Sequence, residues 1–180
     1  MIYVFLADGF EEVEAITPID FLRRCELEVV TVGIGSQIIK GAHGISILTD
    51  IIAEEIVLDD SLEMIVLPGG MPGTLNLEKN IFVQKAIDYC VNNNIFIGAI
   101  CAAPSILGHK GILAGYEATC FPGFESQLTG ALLSKKTTIA DRKIITGKSA
   151  GVARDFSLLL VEKLISKERA EKLRESLKCE

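Results

Sequence analysis

Short apolar runs alternate along this chain with longer amphipathic stretches. Ile2 to Leu6, Met64 to Leu67 and Ile95 to Ile100 carry no polar position at all. Runs of this length, apolar on both sides, predict strands covered on both faces. Glu28 to Val32 predicts another strand. A helix between the first two strands should end near Arg24. Its start has two readings: Thr17-Pro18 has the look of an N-cap followed by proline at the first helical position, yet Glu11 to Ile16 is also helical in composition. Ile38-Ile39-Lys40 and Ile45-Ser46-Ile47 flank Gly41-Ala42-His43-Gly44, the pattern of a hairpin.

Further on, Phe82 to Val91 places Val83, Ala86, Ile87 and Cys90 on one helical face. Ala103 to Leu107 should open another helix, with Pro104 tolerated in its first turn. Thr137 to Ala140 and Lys143 to Thr146 predict two strands around the turn Asp141-Arg142. Val152 to Ile165 predicts an amphipathic helix. Ser166 should cap a last one, with Glu168 and Lys172 paired across a turn. Buried strands alternating with helices imply one α/β domain with a parallel sheet covered on both sides. Ligands in such sheets bind beyond the carboxyl ends of the strands. Three strand ends carry unusual residues: Asp8-Gly9 through Glu14, Pro68-Gly69-Gly70, and Cys101-Ala102-Ala103. All three should open onto one rim.

Composition narrows the function. The 180 residues carry a net charge of −6, which disfavours nucleic acid and anionic membrane surfaces as partners. The apolar start is too short for a signal peptide, and no run reaches the ~20 apolar residues of a membrane span, so a cytoplasmic protein is expected. Five cysteines without a C-x-x-C pair argue against a disulfide framework or zinc knuckle. With only two histidines, His43 and His109, a histidine-rich metal site is not expected.

Cys101 is the sharpest chemical signal. It ends an apolar strand, and a helix follows at once. A nucleophile at such a turn is held out of the sheet in a strained conformation, and the helix end should lower its pKa from the free value of ~8.5. The competing reading is a buried packing cysteine. Pro68-Gly69-Gly70 can turn successive N–H groups toward one point and form an oxyanion hole, or it can be an ordinary turn. Glu11 and Glu12 read as acids favouring a helix start. Glu14 differs, because Val13, Ala15 and Ile16 surround it, and a buried carboxyl can stay protonated. The histidines stand away from Cys101: Ala102 follows it directly, His109 should be a surface residue, and His43 lies in the hairpin. Cys25, Cys90 and Cys179 read as packing or terminal residues. Cys120 is either packing or a resolving thiol for oxidised Cys101.

Together the segments Ala7-Asp8-Gly9-Phe10-Glu11-Glu12-Val13-Glu14, Val66-Leu67-Pro68-Gly69-Gly70 and Ala99-Ile100-Cys101-Ala102-Ala103-Pro104 resemble the ThiJ/PfpI superfamily, most closely its DJ-one branch. The resemblance implies a flavodoxin-like three-layer α/β/α sandwich of the class I glutamine amidotransferase type, assembled as a homodimer. It implies Cys101 as the nucleophile, Glu14 as its protonated partner, and Gly70 and Ala102 as backbone donors. His43 aligns with a position that approaches the partner subunit's site. The implied activities need no cofactor: conversion of small α-oxoaldehydes such as methylglyoxal to hydroxy acids, repair of early glycation adducts, and redox-sensitive chaperoning under stress. Peptidase activity and thiazole monophosphate synthesis are also attributed to relatives. Ala102 stands where peptidase members carry histidine, which weakens the first of these. Phe121 stands where some members carry a histidine near the nucleophile, and Gly147-Lys148-Ser149-Ala150-Gly151 departs from a Ser-Arg-Gly-Pro-Gly pattern.

Overall fold

The computed structural model describes residues 1–178. The strands in chain order are β1 (Ile2–Leu6), β2 (Val29–Gly33), β3 (Ile38–Lys40), β4 (Ser46–Leu48), β5 (Ile51–Ile52), β6 (Met64–Leu67), β7 (Phe96–Ile100), β8 (Glu117–Ala118), β9 (Leu132–Leu133), β10 (Thr138–Asp141) and β11 (Ile144–Gly147). The helices are α1 (Glu12–Arg24), α2 (Gly73–Lys79), α3 (Ile81–Asn92), α4 (Pro104–His109), α5 (Ala153–Leu164) and α6 (Lys167–Ser176). Seven strands form one sheet in the order β10-β11-β7-β6-β1-β2-β5. Every pairing in it is parallel except β10 with β11.

Successive side chains of a strand point to opposite faces, and the core divides accordingly. Tyr3, Phe5, Ile65, Leu67, Ile97 and Ala99 face a layer that includes Leu77, Val83, Ile87 and Ile106 from α2, α3 and α4. Ile2, Val4, Leu6, Met64, Val66 and Ile145 face Ile19, Leu22, Phe156, Leu160 and Leu173 from α1, α5 and α6. This is the expected three-layer sandwich. The continuous apolar runs of β1, β6 and β7 follow from it, since both faces lie under helices.

Helix α1 settles the two readings of its start: it begins at Glu12 and runs through Pro18. Pro18 has no N–H to give the Glu14 carbonyl. The helix passes this point because Ala15, Ile19, Phe21 and Leu22 are buried along it, and that burial outweighs one lost hydrogen bond. Asn80 caps α3 through the N–H groups of Phe82 and Val83, and Ser166 caps α6 through Arg169 N–H. Glu168 and Lys172 pair at 2.6 Å as expected. The hairpin pairs Ile39 with Ile47, its second strand one residue later than the pattern suggested. Helix α2 and the two-residue strands β5, β8 and β9 were not legible from periodicity.

The topology positions the site. From β1 the chain goes to β2 on one side and returns later to β6 on the other. The carboxyl ends of β1 and β6 therefore flank a point where strand order reverses, the place where open α/β sheets form a ligand crevice. Strand β7, ending at Ile100, is the next strand over.

Candidate functional site

Cys101 follows β7 at φ 65°, a left-handed conformation costing an L-residue roughly 1–2 kcal/mol. Two hydrogen bonds hold it there. Its N–H donates to Gly147 O at 2.9 Å, and its carbonyl accepts from Phe121 N–H at 2.8 Å. The strained strand-to-helix turn expected from the sequence is therefore present, and the side chain is partly exposed.

Glu14 reaches this turn from the first turn of α1. It is fully buried, and Oε2 accepts from Gly69 N–H at 2.9 Å. Oε1 is buried with no hydrogen-bond partner. Burial is the main cause that raises Glu14 to about 7, aided by the Glu11 charge and opposed by Cys101 and the amides of Gly69 and Ala150. The carboxyl thus keeps its proton up to neutrality, as the sequence suggested.

The thiol departs from expectation. Burial first, then the charge and hydrogen bond of Glu14, push Cys101 up to about 12, while the N–H groups of Ala102 and Gly70 pull it down. The expected stabilisation by a following helix is small, because α4 has only six residues and starts at Pro104. Two of the three raising causes require an ionised Glu14. When Glu14 holds the proton, they vanish and the carboxyl becomes a donor toward sulfur. Of the two groups the carboxyl gives up its proton first, near 7, and a negative charge on either one opposes a negative charge on the other.

Two glycines make this approach possible. A Cβ on Gly69 would lie 2.6 Å from Glu14 Oε2 and 2.7 Å from Cys101 Cβ. Gly70 has φ 91°, which turns its N–H toward the sulfur, and a Cβ there would meet Glu11 N at 2.3 Å. Gly69 and Ala150 were missed as site residues by sequence reasoning. Pro68-Gly69-Gly70 signalled a nest without saying which amide serves which acceptor, and Ala150 was noted only within a segment that departs from the family pattern.

Cys101, Glu14, Gly70 and Ala102 are thus brought together. His43 is not among them. Its Nδ1 lies 2.9 Å from Glu12 Oε2 and 3.5 Å from Glu11 Oε2. Glu12 Oε1 also accepts from the N–H groups of His43 and Ile45, so this carboxylate staples the hairpin tip to α1. The three side chains offer metal-ligand atoms within 4.8 Å of one another, but charge pairing and the staple account for them. His109 is a surface residue paired with Glu78 at 2.6 Å. Cys120 packs in the α3/α4 layer, whereas Cys101 packs against the α1/α5 layer. Cys120 is a free, buried cysteine next to Phe121, whose N–H donates to the Cys101 carbonyl. Cys25 and Cys90 are buried, and Cys179 lies outside the described residues. No helix among the described residues is long and apolar enough to cross a membrane.

Known proteins resemble this chain in sequence and fold. A Drosophila melanogaster protein, dj-1beta, is 32% identical over 177 residues, covering 97% of this chain and 94% of that one. A Caenorhabditis elegans protein described as glutathione-independent glyoxalase DJR-1.2 is 32% identical over 166 residues, covering 91% and 87%. The solved structure of oxidised Toxoplasma gondii DJ-1 superposes with a TM-score of 0.93 at 30% identity, covering 98% of this chain and 96% of that one. Residues 1–163 match the model of the DJ-1/PfpI family. With that match spanning all three strand ends that build the site, the chain belongs to the DJ-1/PfpI family.

Proposed function

We propose that this protein is a cofactor-free, cysteine-dependent enzyme acting on reactive α-oxoaldehydes or the early adducts they form on proteins. The observation that carries the reading is Glu14: a fully buried acid with one oxygen fixed by Gly69, beside a thiol that two amides also face. A buried carboxyl poised near neutrality is suited to moving protons in both directions.

With methylglyoxal, Cys101 attacks the aldehyde carbon as the thiolate and the aldehyde oxygen takes the proton held by Glu14. The N–H groups of Gly70 and Ala102 stabilise the negative charge that develops on that oxygen. Glu14, now ionised, removes the proton from the former aldehyde carbon. It returns that proton to the adjacent carbon, and the hydroxyl proton passes to the neighbouring ketone oxygen, leaving a thioester of a hydroxy acid. Water then releases lactate and restores the thiol. No redox partner is consumed, since one carbon is oxidised and its neighbour reduced. The C. elegans relative's description as a glyoxalase supports this chemistry. Cys101→Ala should abolish lactate formation from methylglyoxal, and full activity in that variant would overturn the mechanism.

A second reading has its own support. The same two amides and Glu14 can hold the oxygens of an oxidised sulfur, and a Toxoplasma gondii relative was solved in oxidised form. In that reading the protein senses oxidants or acts as a chaperone. A mass gain of two oxygens confined to Cys101 after mild peroxide supports it. An unmodified Cys101 refutes it.

The assembly proposed is a homodimer. Val13 and Ile16 on α1 and Ile38, Ile45 and Leu48 on the hairpin are each between 43% and 71% exposed. The Glu12 staple ties the hairpin to α1 at His43 and Ile45. An apolar surface of this kind calls for a partner, and a second copy places His43 near the interface.

A further inference from the structure

We infer that Glu11 and His43 form a charge pair that governs how readily the Cys101–Glu14 site releases its proton, which makes both of them positioning residues of that site. The inference rests on Cys101 being the reactive thiol, and it adds a control that the proposed chemistry does not require.

The contacts connect an exposed imidazole to the buried site. Glu11 precedes α1, and its N–H donates to Gly69 O at 2.9 Å. The N–H of the same Gly69 holds Glu14 Oε2. The Glu11 side chain is only 18% exposed, so its charge is poorly screened by water, and it acts directly on Glu14. On its outer side it faces His43 Nδ1 at 3.5 Å, and His43 is 68% exposed. Glu12, which reaches the same Nδ1 at 2.9 Å, is itself held by two backbone N–H groups and fixes the imidazole in place. Two further charged groups belong to the hairpin contact, Asp8, whose carboxylate accepts from Lys40 N–H, and Lys40 on β3. The hydrogen bond to Glu12 and the charges of Glu11 and Glu12 raise His43 above its ordinary value, which favours the imidazolium beside Glu11.

The two residues therefore act with opposite sign. Glu11 opposes any negative charge on the Glu14–Cys101 pair. Protonated His43 offsets Glu11. Removing Glu11 should lower the pH at which the pair gives up its proton, and removing His43 should raise it. A purely structural role would not separate the two in sign.

The test is the pH dependence of Cys101 alkylation by iodoacetamide, from pH 5 to about 10, in the full-length protein and in Glu11→Gln and His43→Gln. Both replacements keep a hydrogen-bonding side chain. The midpoint should fall in the first and rise in the second, each changing the rate at pH 7 by about threefold, the scale of one partly screened charge. In a Glu11→Gln background, His43→Gln should lose most of its effect. Midpoints that move together, or not at all, overturn the inference while leaving the thiol chemistry standing. A thiol that shows no midpoint in this range overturns both.

Discussion

Glu14→Gln should make the protein more stable at neutral and alkaline pH while impairing its chemistry. Burial holds the Glu14 carboxyl at about 7 against an ordinary 4.5. An acid raised on folding binds its proton more tightly in the native state than in the unfolded one. Between those two values the native state holds more protons, so stability falls as pH rises through the window. A carboxyl moved that far costs the native state about 3 kcal/mol once pH exceeds 7, and about 2 kcal/mol at pH 6. Below pH 4 the term disappears. Glutamine keeps an oxygen to accept from Gly69 N–H and cannot ionise, so the variant should lack this slope entirely. Urea unfolding at intervals from pH 4 to 8, read by circular dichroism, measures it directly. The wild-type curve should drop relative to the variant by about 3 kcal/mol across the range. Curves that stay parallel would show that Glu14 is not held protonated by the fold, and the proton-shuttle role would go with it. The comparison also has a functional side, because a residue kept at a cost to stability is expected where its chemistry is used.

Other outcomes follow from the same geometry. Gly69→Ala should suppress Cys101 alkylation, since the added carbon would sit 2.6 Å from Glu14 Oε2; overpacking of this kind costs about 1–3 kcal/mol, measurable by thermal unfolding. Cys101→Gly should remove all thiol reactivity at this position and raise stability by about 1 kcal/mol, because glycine adopts φ 65° without strain. A lower melting temperature would show that the turn is not strained. Ile16→Asp should shift the protein toward monomer in sedimentation, and an unchanged mass would place the dimer contact elsewhere. For Gly69→Ala, an alkylation rate equal to wild type would remove the case for close Glu14–Cys101 packing.

The fold was legible wherever burial was two-sided. Strands β1, β6 and β7 are apolar throughout because helices cover both faces, and that leaves an unmistakable pattern. Where two or three residues form a rung, as in β5 and β8, no period exists to be read. The ambiguity at Pro18 was real at the level of propensity, and only tertiary burial of Ile19 and Leu22 resolved it. The site divides in the same way. Cys101 stood out at its strand end and Glu14 by its apolar neighbours, whereas Gly70 and Ala102 as donors were implied by the family resemblance. The thiol's environment did not, since its proton affinity depends on how deeply it is packed and on which group opposite it is charged. The role of Gly69 depends on a carboxylate 55 positions away, which no local window contains.

The Cys101 turn is secured from both sides by parts of the chain made after it: Phe121 holds its carbonyl and Gly147 its amide. Ala150, later still, acts on Glu14. During synthesis the sulfur therefore emerges well before the scaffold that would tune it. A nascent or truncated chain ending ahead of β11 would display an ordinary cysteine, and competence would arrive only with completion of the sheet. Labelling of this one thiol could then serve as a clock for maturation, separating finished molecules from those still assembling.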